Sequence, residues 1–591
     1  MTGARPEDSG GVPGHRTLGS GAASLPTRVE VLVVGAGIIG AAISSRLASA
    51  GLEVCLLDRV GPAAGTSSAG EGNVLVSDKA PGPDLALALR GVELWHELAK
   101  EAGDAGDRVE FEPKGGLVVA RGEEELEALF ALAESQRLLG ARVELVTAGG
   151  LHELEPALTE DLSGGVFYEQ DCQVQPVAAV DFLVRQFSAR GGLLVRGAEV
   201  VGAEHDRQGN VCSVRTTMGT VGVDKFVVNA AGPWAGEVAR HLGTDIPVVP
   251  RRGHVLVTEP EPLSVRHKVY EAGYVSTVHD DGTGLACSAV VEATRSGTML
   301  LGSSREFVGF SREIDPGIMR TIAARAVALF PDLGRARLIR AYVGFRPTTP
   351  DRLPIIGADR SVGGIYHATG HEGAGIGLAL VTAEIVEDLV LGGRPSVDLA
   401  PFAPERFASG TRAGETSATA LQGPGQGAET EVAAPSSSAG AGSAGRFPTS
   451  RRGKQRLLTA LGSFSRGRSS PPSDRPVSLR FRFDGRELTA PRGSTIAGAL
   501  LSNGQRAWRT TRTGDQRRGL FCGIGTCFDC LVDLNGDKAV RACLALLQEG
   551  DEVSSSDSVG PGELSASPTN GGPAPGGNTR AVGQGGHPQD A

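Results

Sequence analysis

Four cysteines, Cys522, Cys527, Cys530 and Cys543, stand in the spacing C-x4-C-x2-C-x12-C near the end of the chain. Four thiolates held by one loop and one following segment can complete the coordination of an iron–sulfur centre. The loop Cys522-Gly-Ile-Gly-Thr-Cys527-Phe-Asp-Cys530 is rich in small residues, which let backbone amides approach and hydrogen-bond the sulfurs. Structural zinc more often appears as two C-x2-C knuckles, and Cys527 and Cys530 lack the βαβ surroundings of a thioredoxin-like pair. A [2Fe–2S] cluster is therefore the expected occupant of these thiols.

A second constellation opens the first apolar stretch. Val29 to Val34 reads as a buried strand, Gly35-Ala-Gly37-Ile38-Ile39-Gly40 follows at once, and Ala41 to Ala50 continues as a helix of small residues. Between a strand and a helix, G-x-G-x-x-G has a mechanism: Gly35 permits the tight turn, Gly37 admits a pyrophosphate, and Gly40 lets helix and sheet pack closely. Amides at the helix start then face the phosphates. A second strand, Glu53 to Leu57, ends in Asp58, where a carboxylate can accept bonds from ribose hydroxyls. One chain thus pairs a two-electron dinucleotide site with a one-electron metal site, which favours a dehydrogenase that exports electrons.

The elements that must position these groups fall into two bodies. Segments 1–27, 408–476 and 557–591 are dominated by Gly, Ala, Ser, Thr and Pro; they bury too little apolar surface to offset ordering entropy and are expected to be disordered. That leaves an oxidoreductase body at 28–407, with cofactor and substrate lobes, and a small body at 477–556. In the small one, Val477 to Phe483 alternates as a half-buried strand, Asp484-Gly485 marks a hairpin, and Glu487 to Ala490 returns. Ser494 or Thr495 caps a helix through Leu501, and a strand pair, Leu531–Leu534 and Ala539–Arg541, precedes Cys543. That order is the order of a β-grasp ferredoxin. The fold class is α/β: a dinucleotide-binding Rossmann-like domain (FAD-binding, on the resemblance given below), a mixed-sheet substrate domain, and a C-terminal β-grasp [2Fe–2S] domain.

The net charge of −10 argues against a general nucleic-acid binder. No run approaches transmembrane length, and eight cysteines with four of them clustered fit metal ligation in a reducing compartment better than a disulfide framework. A cytoplasmic protein is expected, with a peripheral position at the inner face of the membrane as the alternative. Arg451–Arg468 is basic, with Leu457, Leu458, Leu461 and Phe464 at near-helical spacing; a solvated linker is the favoured reading over a docking helix. Cys55, Cys172, Cys212 and Cys287 are scattered and expected to be inert.

Four further stretches decide which dinucleotide is meant. They are Gly65-Thr-Ser-Ser-Ala-Gly-Glu-Gly-Asn73, Val227-Val-Asn-Ala-Ala-Gly-Pro-Trp234, Gly344-Phe-Arg-Pro through Gly357, and Gly370-His-Glu-Gly-Ala-Gly-Ile-Gly377. With them, 28–407 closely resembles FAD-dependent amine and amino-acid oxidoreductases of the D-amino-acid oxidase (glycine oxidase-like) type. The resemblance implies an FAD held by the glycine loop with Ile38 and Ile39, by Asp58 and Arg59, by Thr66, Ser67 and Ser68, and by Val200, Gly232, Gly373, Gly375, Ile376 and Gly377. It implies that Arg346 pairs with a substrate carboxylate, as a planar guanidinium is suited to do. His371 orients the loop or lines the pocket. Pro250 to His254, Tyr270 and Tyr274 belong to the substrate sheet, and of the two tyrosines Tyr274 is the candidate to cover the substrate. The 477–556 body resembles the [2Fe–2S] subunits of hydrogen cyanide synthase, D-hydroxyproline dehydrogenase and opine or sarcosine oxidases, in which flavin and cluster usually lie on separate chains.

The expected activity is oxidation of an amino acid or related secondary amine to the imine and then an oxo-acid. Electrons pass from FAD to the cluster and on to an external acceptor: a quinone, an electron-transfer protein or a further subunit. No dedicated base is evident, so binding geometry carries most of the catalysis. An O2-reducing oxidase with a regulatory iron–sulfur domain, or a non-catalytic electron-transfer subunit, stays open at this point.

Overall fold

The computed structural model describes residues 24–103, 109–261, 265–274, 284–407, 478–510, 517–520, 523 and 529–556. Cys522 and Cys527, the Arg451–Arg468 stretch and nearly all of the three low-complexity segments lie outside them.

Arg28–Val34 is a central parallel strand because its residues are apolar on both faces; Val31, Leu32 and Val33 are fully buried. It pairs in parallel with Val54–Asp58 on one side and Gly219–Asn229 on the other. Leu193–Arg196 extends the sheet beyond Val54–Asp58, while Ile365–Thr369 and antiparallel Ile355–Ala358 extend it past Gly219–Asn229. The helices Ile38–Ser49 and Gly375–Leu391 pack together over this sheet, tied at the rim by Arg46 and Glu387. The first of them starts three residues earlier than its expected Ala41, so that Gly40 lies inside its first turn.

A second eight-stranded mixed sheet carries the substrate lobe, in the order Leu338–Thr348, Val249–Thr258, Met299–Arg305, Ala286–Ala293, Lys268–Glu271, Gly116–Ala120, Gly164–Tyr168 and Val143–Thr147. The helix Pro316–Leu329 covers one face, burying Ile318, Ile322, Ala326 and Leu329. Its amino end is capped by Asp315, whose carboxylate accepts the Gly317 and Ile318 amides.

Ser478–Phe483 alternates exposed and buried residues as its pattern predicts, and turns at Asp484-Gly485 into Arg486–Pro491. Thr495 caps Ile496–Ser502 through the Gly498 amide, so Thr495 and not Ser494 is the cap. A strand without a clear sequence signal, Glu552–Ser555, pairs in parallel with Ser478–Phe483 and antiparallel with Leu531–Leu534. It completes the five-stranded β-grasp sheet. Among the described residues, no helix is long and apolar enough to cross a membrane.

Candidate active site

A cavity lies between the two large sheets, beginning where the first strand ends. Gly35 has φ +107°, and a Cβ there would lie 2.5 Å from the Ala230 carbonyl oxygen. Only glycine lets the ends of these two strands approach so closely. A Cβ on Gly40 would meet the Gly35 carbonyl at 1.9 Å, so Gly40 serves helix-to-turn packing and does not line the cavity. Gly37 does line it, and as the N-cap of Ile38–Ser49 it has no side chain to occupy the first-turn amides. The Ile38 amide donates to Ser67 Oγ at 3.0 Å.

Asp58 does more than the ribose role expected of it. Its carboxylate accepts the Ala36, Val60 and Gly61 amides at 2.7–2.8 Å, clamping the glycine loop. It also lines the cavity, and a carboxylate has about four acceptor positions, so one remains for a hydroxyl. Arg59 stacks on Trp234, 4.1 Å from the ring centroid. Thr66 donates to the Phe345 carbonyl at 2.5 Å, holding the loop against the substrate strand. Ile38, Ile39, Ser67, Val200, Gly232, Gly373, Gly375 and Ile376 line the same cavity. Two expected contacts do not. Ser68 is turned outward onto the Gly65 carbonyl, and Gly377 is a packing residue, since a Cβ on Gly91 would lie 2.6 Å from its carbonyl oxygen.

The other wall is polar. Arg346 lines the cavity, and its Nη1 donates to the Ser304 carbonyl at 2.9 Å. That bond passes over Gly253, where a Cβ would fall 2.2 Å from Arg346 Nη1, so the glycine of Arg-Arg-Gly-His makes room for the guanidinium. Burial, followed by the charge of Arg305, pushes Arg346 below the ordinary arginine value. Glu372 is the carboxylate of this region: its Oε1 lies 3.5 Å from Arg251 Nη1 and 3.7 Å from Arg305 Nε, and Thr348 donates to its other oxygen. Arg251 is 1% exposed. Burial and then its arginine neighbours bring it down to about 10, against the pull of Glu372.

Tyr274, not Tyr270, faces the cavity. It lies just beyond the Lys268–Glu271 strand, under the Arg305 guanidinium at 4.7 Å. Tyr270 is fully buried, with its hydroxyl on Ser77. His371 bonds Thr382 Oγ1 through Nε2 at 2.9 Å, and burial brings it down to about 3, so it is a neutral, loop-holding group. His254 is also structural: Nδ1 meets Ser304 Oγ at 3.0 Å and Nε2 accepts the Asp315 amide.

Sequence reasoning missed Glu71, a second carboxylate lining the cavity, together with Glu372, Arg251 and Arg305. Arg305 carries a faint signal, a charged residue ending the apolar strand Met299–Arg305. Trp234 lines the cavity and stacks on Phe310, centroids 5.0 Å apart and planes at 3°.

In the small body, Cys530 and Cys543 are 1% and 0% exposed within one apolar core, and neither forms a disulfide. The Ala542 amide donates to the Cys530 carbonyl, joining the two ligand segments. Two thiols buried in one core, on segments joined by that bond, suit a thiolate-ligated cluster. The cradle of Gly35 and Gly37, with uncapped helix amides beyond, suits a dinucleotide.

Residues 30–389 match the family described as FAD dependent oxidoreductase, and residues 476–558 match a 2Fe-2S iron-sulfur cluster binding domain. Glycine oxidase of Geobacillus kaustophilus is 30% identical over 380 residues, spanning 64% of this chain and 96% of that protein. The hydrogen cyanide synthase subunit HcnC of Pseudomonas protegens is 26% identical, over 64% of this chain and 96% of its own length. The crystal structure of the Geobacillus enzyme superposes with a TM-score of 0.58 at 28% identity, covering 64% of this chain and 99% of that one. The chain belongs to the FAD dependent oxidoreductase family of the D-amino-acid oxidase type. It is a flavoprotein that also carries a [2Fe–2S] domain, an oxidoreductase of the class acting on CH–NH groups.

Proposed function

We propose that the protein is an FAD-dependent dehydrogenase for an amino acid or related secondary amine, which sends electrons through its own [2Fe–2S] cluster to an external acceptor. The observation that carries the reading is Arg346: a partly buried guanidinium on the cavity wall opposite the dinucleotide cradle, with one Nη committed to Ser304. The remaining donors of its fork suit a carboxylate. Bound FAD supplies the two-electron acceptor for the C–H bond next to nitrogen.

The chain's own residues do the rest. Ser304 fixes the Arg346 fork so that a bound carboxylate sets the direction of the carbon beside it. Glu372 partly balances Arg251 and Arg305 and keeps the wall from being excessively cationic. The start of Gly375–Leu391 puts helix amides at the cavity, where the dipole favours negative charge. Trp234, stacked on Phe310, gives the cavity a flat aromatic wall. His371, neutral and bonded to Thr382, takes no proton at ordinary pH. Further subunits fit this reading, since one relative is itself named as a subunit.

Anaerobic titration with D- and L-amino acids, glycine, sarcosine, hydroxyproline and opines tests the proposal. Flavin bleaching identifies the substrate, and an EPR signal from the reduced cluster reports internal transfer. Peroxide formed in air in amount equal to substrate consumed would identify an oxidase instead. Absence of bleaching with every amine would leave an electron-transfer subunit.

A further inference from the structure

The small domain meets the substrate sheet at Gly523. The hairpin turn between Ala286–Ala293 and Met299–Arg305 carries three hydroxyls, Thr294, Ser296 and Thr298, whose oxygens lie within 2.6–3.1 Å of one another. Ser296 and Thr298 are 0% exposed. Both donate across the interface to one acceptor, the carbonyl oxygen of Gly523. Gly523 directly follows Cys522, an expected cluster ligand. It has φ +71°, and a Cβ there would lie 2.6 Å from Thr298 Cγ2 and 3.2 Å from Ile339 Cδ1. The residue must therefore be glycine for two reasons, its backbone and its neighbour in the other domain. A second contact lies on the helix Ile496–Ser502: a Cβ on Gly498 would stand 3.1 Å from Pro260 Cβ. Pro260 belongs to the same surface, because the Glu261 amide donates to the Gly297 carbonyl in the hydroxyl-bearing turn.

The two strands beneath this contact lead straight to the cavity. Met299–Arg305 begins beside Thr298 and reaches Gly302, where a Cβ would meet the cavity residue Glu71. At about 3.3 Å per residue, the four steps from Thr298 to Gly302 span roughly 13 Å. Leu338–Thr348 carries Ile339 under Gly523 and Gly344 on the cavity wall, five steps or roughly 16 Å apart.

We propose that Ser296 and Thr298, with Pro260, form a receptor for Gly523 and Gly498 and hold the iron–sulfur domain in one fixed electron-receiving position. This rests on the flavin-to-cluster reading above and adds to it a docked position for the cluster domain. One electron at a time leaves the two-electron-reduced flavin and arrives at the oxidised [2Fe–2S] cluster, so two transfers, with reoxidation of the cluster by the external acceptor between them, return the flavin to its oxidised form. Ser296 and Thr298 are positioning residues: they touch neither substrate nor flavin and act by placing the ligand loop.

The test uses the full-length holoprotein with a Pro260→Cys/Gly498→Cys staple. The two Cβ atoms need to relax only a few tenths of an ångström to reach disulfide spacing of about 3.5–4.5 Å. Peptide mapping of the oxidised protein reports docking without reference to activity. The flavin is reduced by light and EDTA, so the outcome does not depend on finding the substrate, and cluster reduction is followed by EPR. The docked pose predicts that the cross-link forms and that the stapled protein reduces its cluster within about twofold of the wild-type rate. The double variant Ser296→Ala/Thr298→Val, with cluster content verified by dithionite reduction, should slow that step at least tenfold and raise hydrogen exchange in 294–300. A staple that forms but blocks cluster reduction would overturn the proposal, as would failure of the cross-link to form. If the staple behaves as expected and no amine bleaches the flavin, the docking stands and the substrate reading alone is lost.

Discussion

Arg251 and Arg346 stand directly opposite each other on the antiparallel strands Val249–Thr258 and Leu338–Thr348, and Glu372 lies 3.5 Å from the first of them. The register places two guanidiniums on one face of the sheet, beside a third from Arg305. Glu372 and Glu71 match these three cations only in part, which is the electrostatic reason to expect an anionic group on the ligand.

Arg346→Ala should therefore weaken substrate far more than it disturbs the fold. A charge-assisted hydrogen bond contributes about 1.5–3 kcal/mol, so loss of one such contact corresponds to roughly a ten- to hundredfold rise in KM. Arg346→Lys should recover little, because a point charge cannot reproduce the fork that bonds Ser304 and a carboxylate together. Anaerobic bleaching titrations of the three proteins check this.

Glu372→Gln should destabilise the oxidoreductase domain. It removes the carboxylate that faces Arg251 and Arg305, leaving buried cations less compensated. Removing one partner of a buried pair typically costs about 3–5 kcal/mol, readable as a lower denaturant midpoint. An unchanged midpoint would mean that the arginines find other compensation.

The pH profile should carry no mark of His371. Its value in the folded protein is about 3, below the usual 6.5, because burial disfavours the cation. A depressed value means that its contribution to stability is present above pH 6.5 and is lost as pH falls towards 3. His371→Gln should leave the shape of kcat/KM between about pH 5 and 9 unaltered, while flattening the acid limb of the stability curve. A titration near neutrality that disappears in the variant would contradict this.

Cys543→Ser should abolish the cluster, with loss of both its EPR signal and its bound iron, and should loosen the small domain whose core contains Cys543. Flavin bleaching by substrate should continue, since the cradle lies in the other domain. Loss of bleaching would show that the flavin site depends on the cluster domain.

The parts of the molecule legible in sequence are those whose geometry is local. Gly35, Gly37 and Gly40 announce a turn because the requirement for a missing Cβ acts within a few residues, and Ser478–Phe483 reveals its buried side through simple alternation. Ser68 and Gly377 show the limit of motif reasoning: both sit inside a binding motif, yet one turns to solvent and the other packs under a helix. Arg251, Arg305 and Glu372 converge only through strand register and the placement of a loop, and no short stretch contains that information. Glu552–Ser555 is hidden for a similar reason. Its short, polar run becomes a strand through the two neighbours that flank it.

The pairing of Ile38–Ser49 with Gly375–Leu391 governs the timing of biosynthesis. On the ribosome, the dinucleotide lobe cannot close over its first helix until the residues around Glu387 have emerged to meet Arg46. Distant contacts of this kind are slow to form and leave apolar surface uncovered in the meantime. The β-grasp sheet, by contrast, draws all its strands from one late, contiguous stretch. Maturation thus divides into two independent events: flavin capture waits for most of the chain, while cluster insertion needs only its own short domain, and the docked enzyme exists only after both.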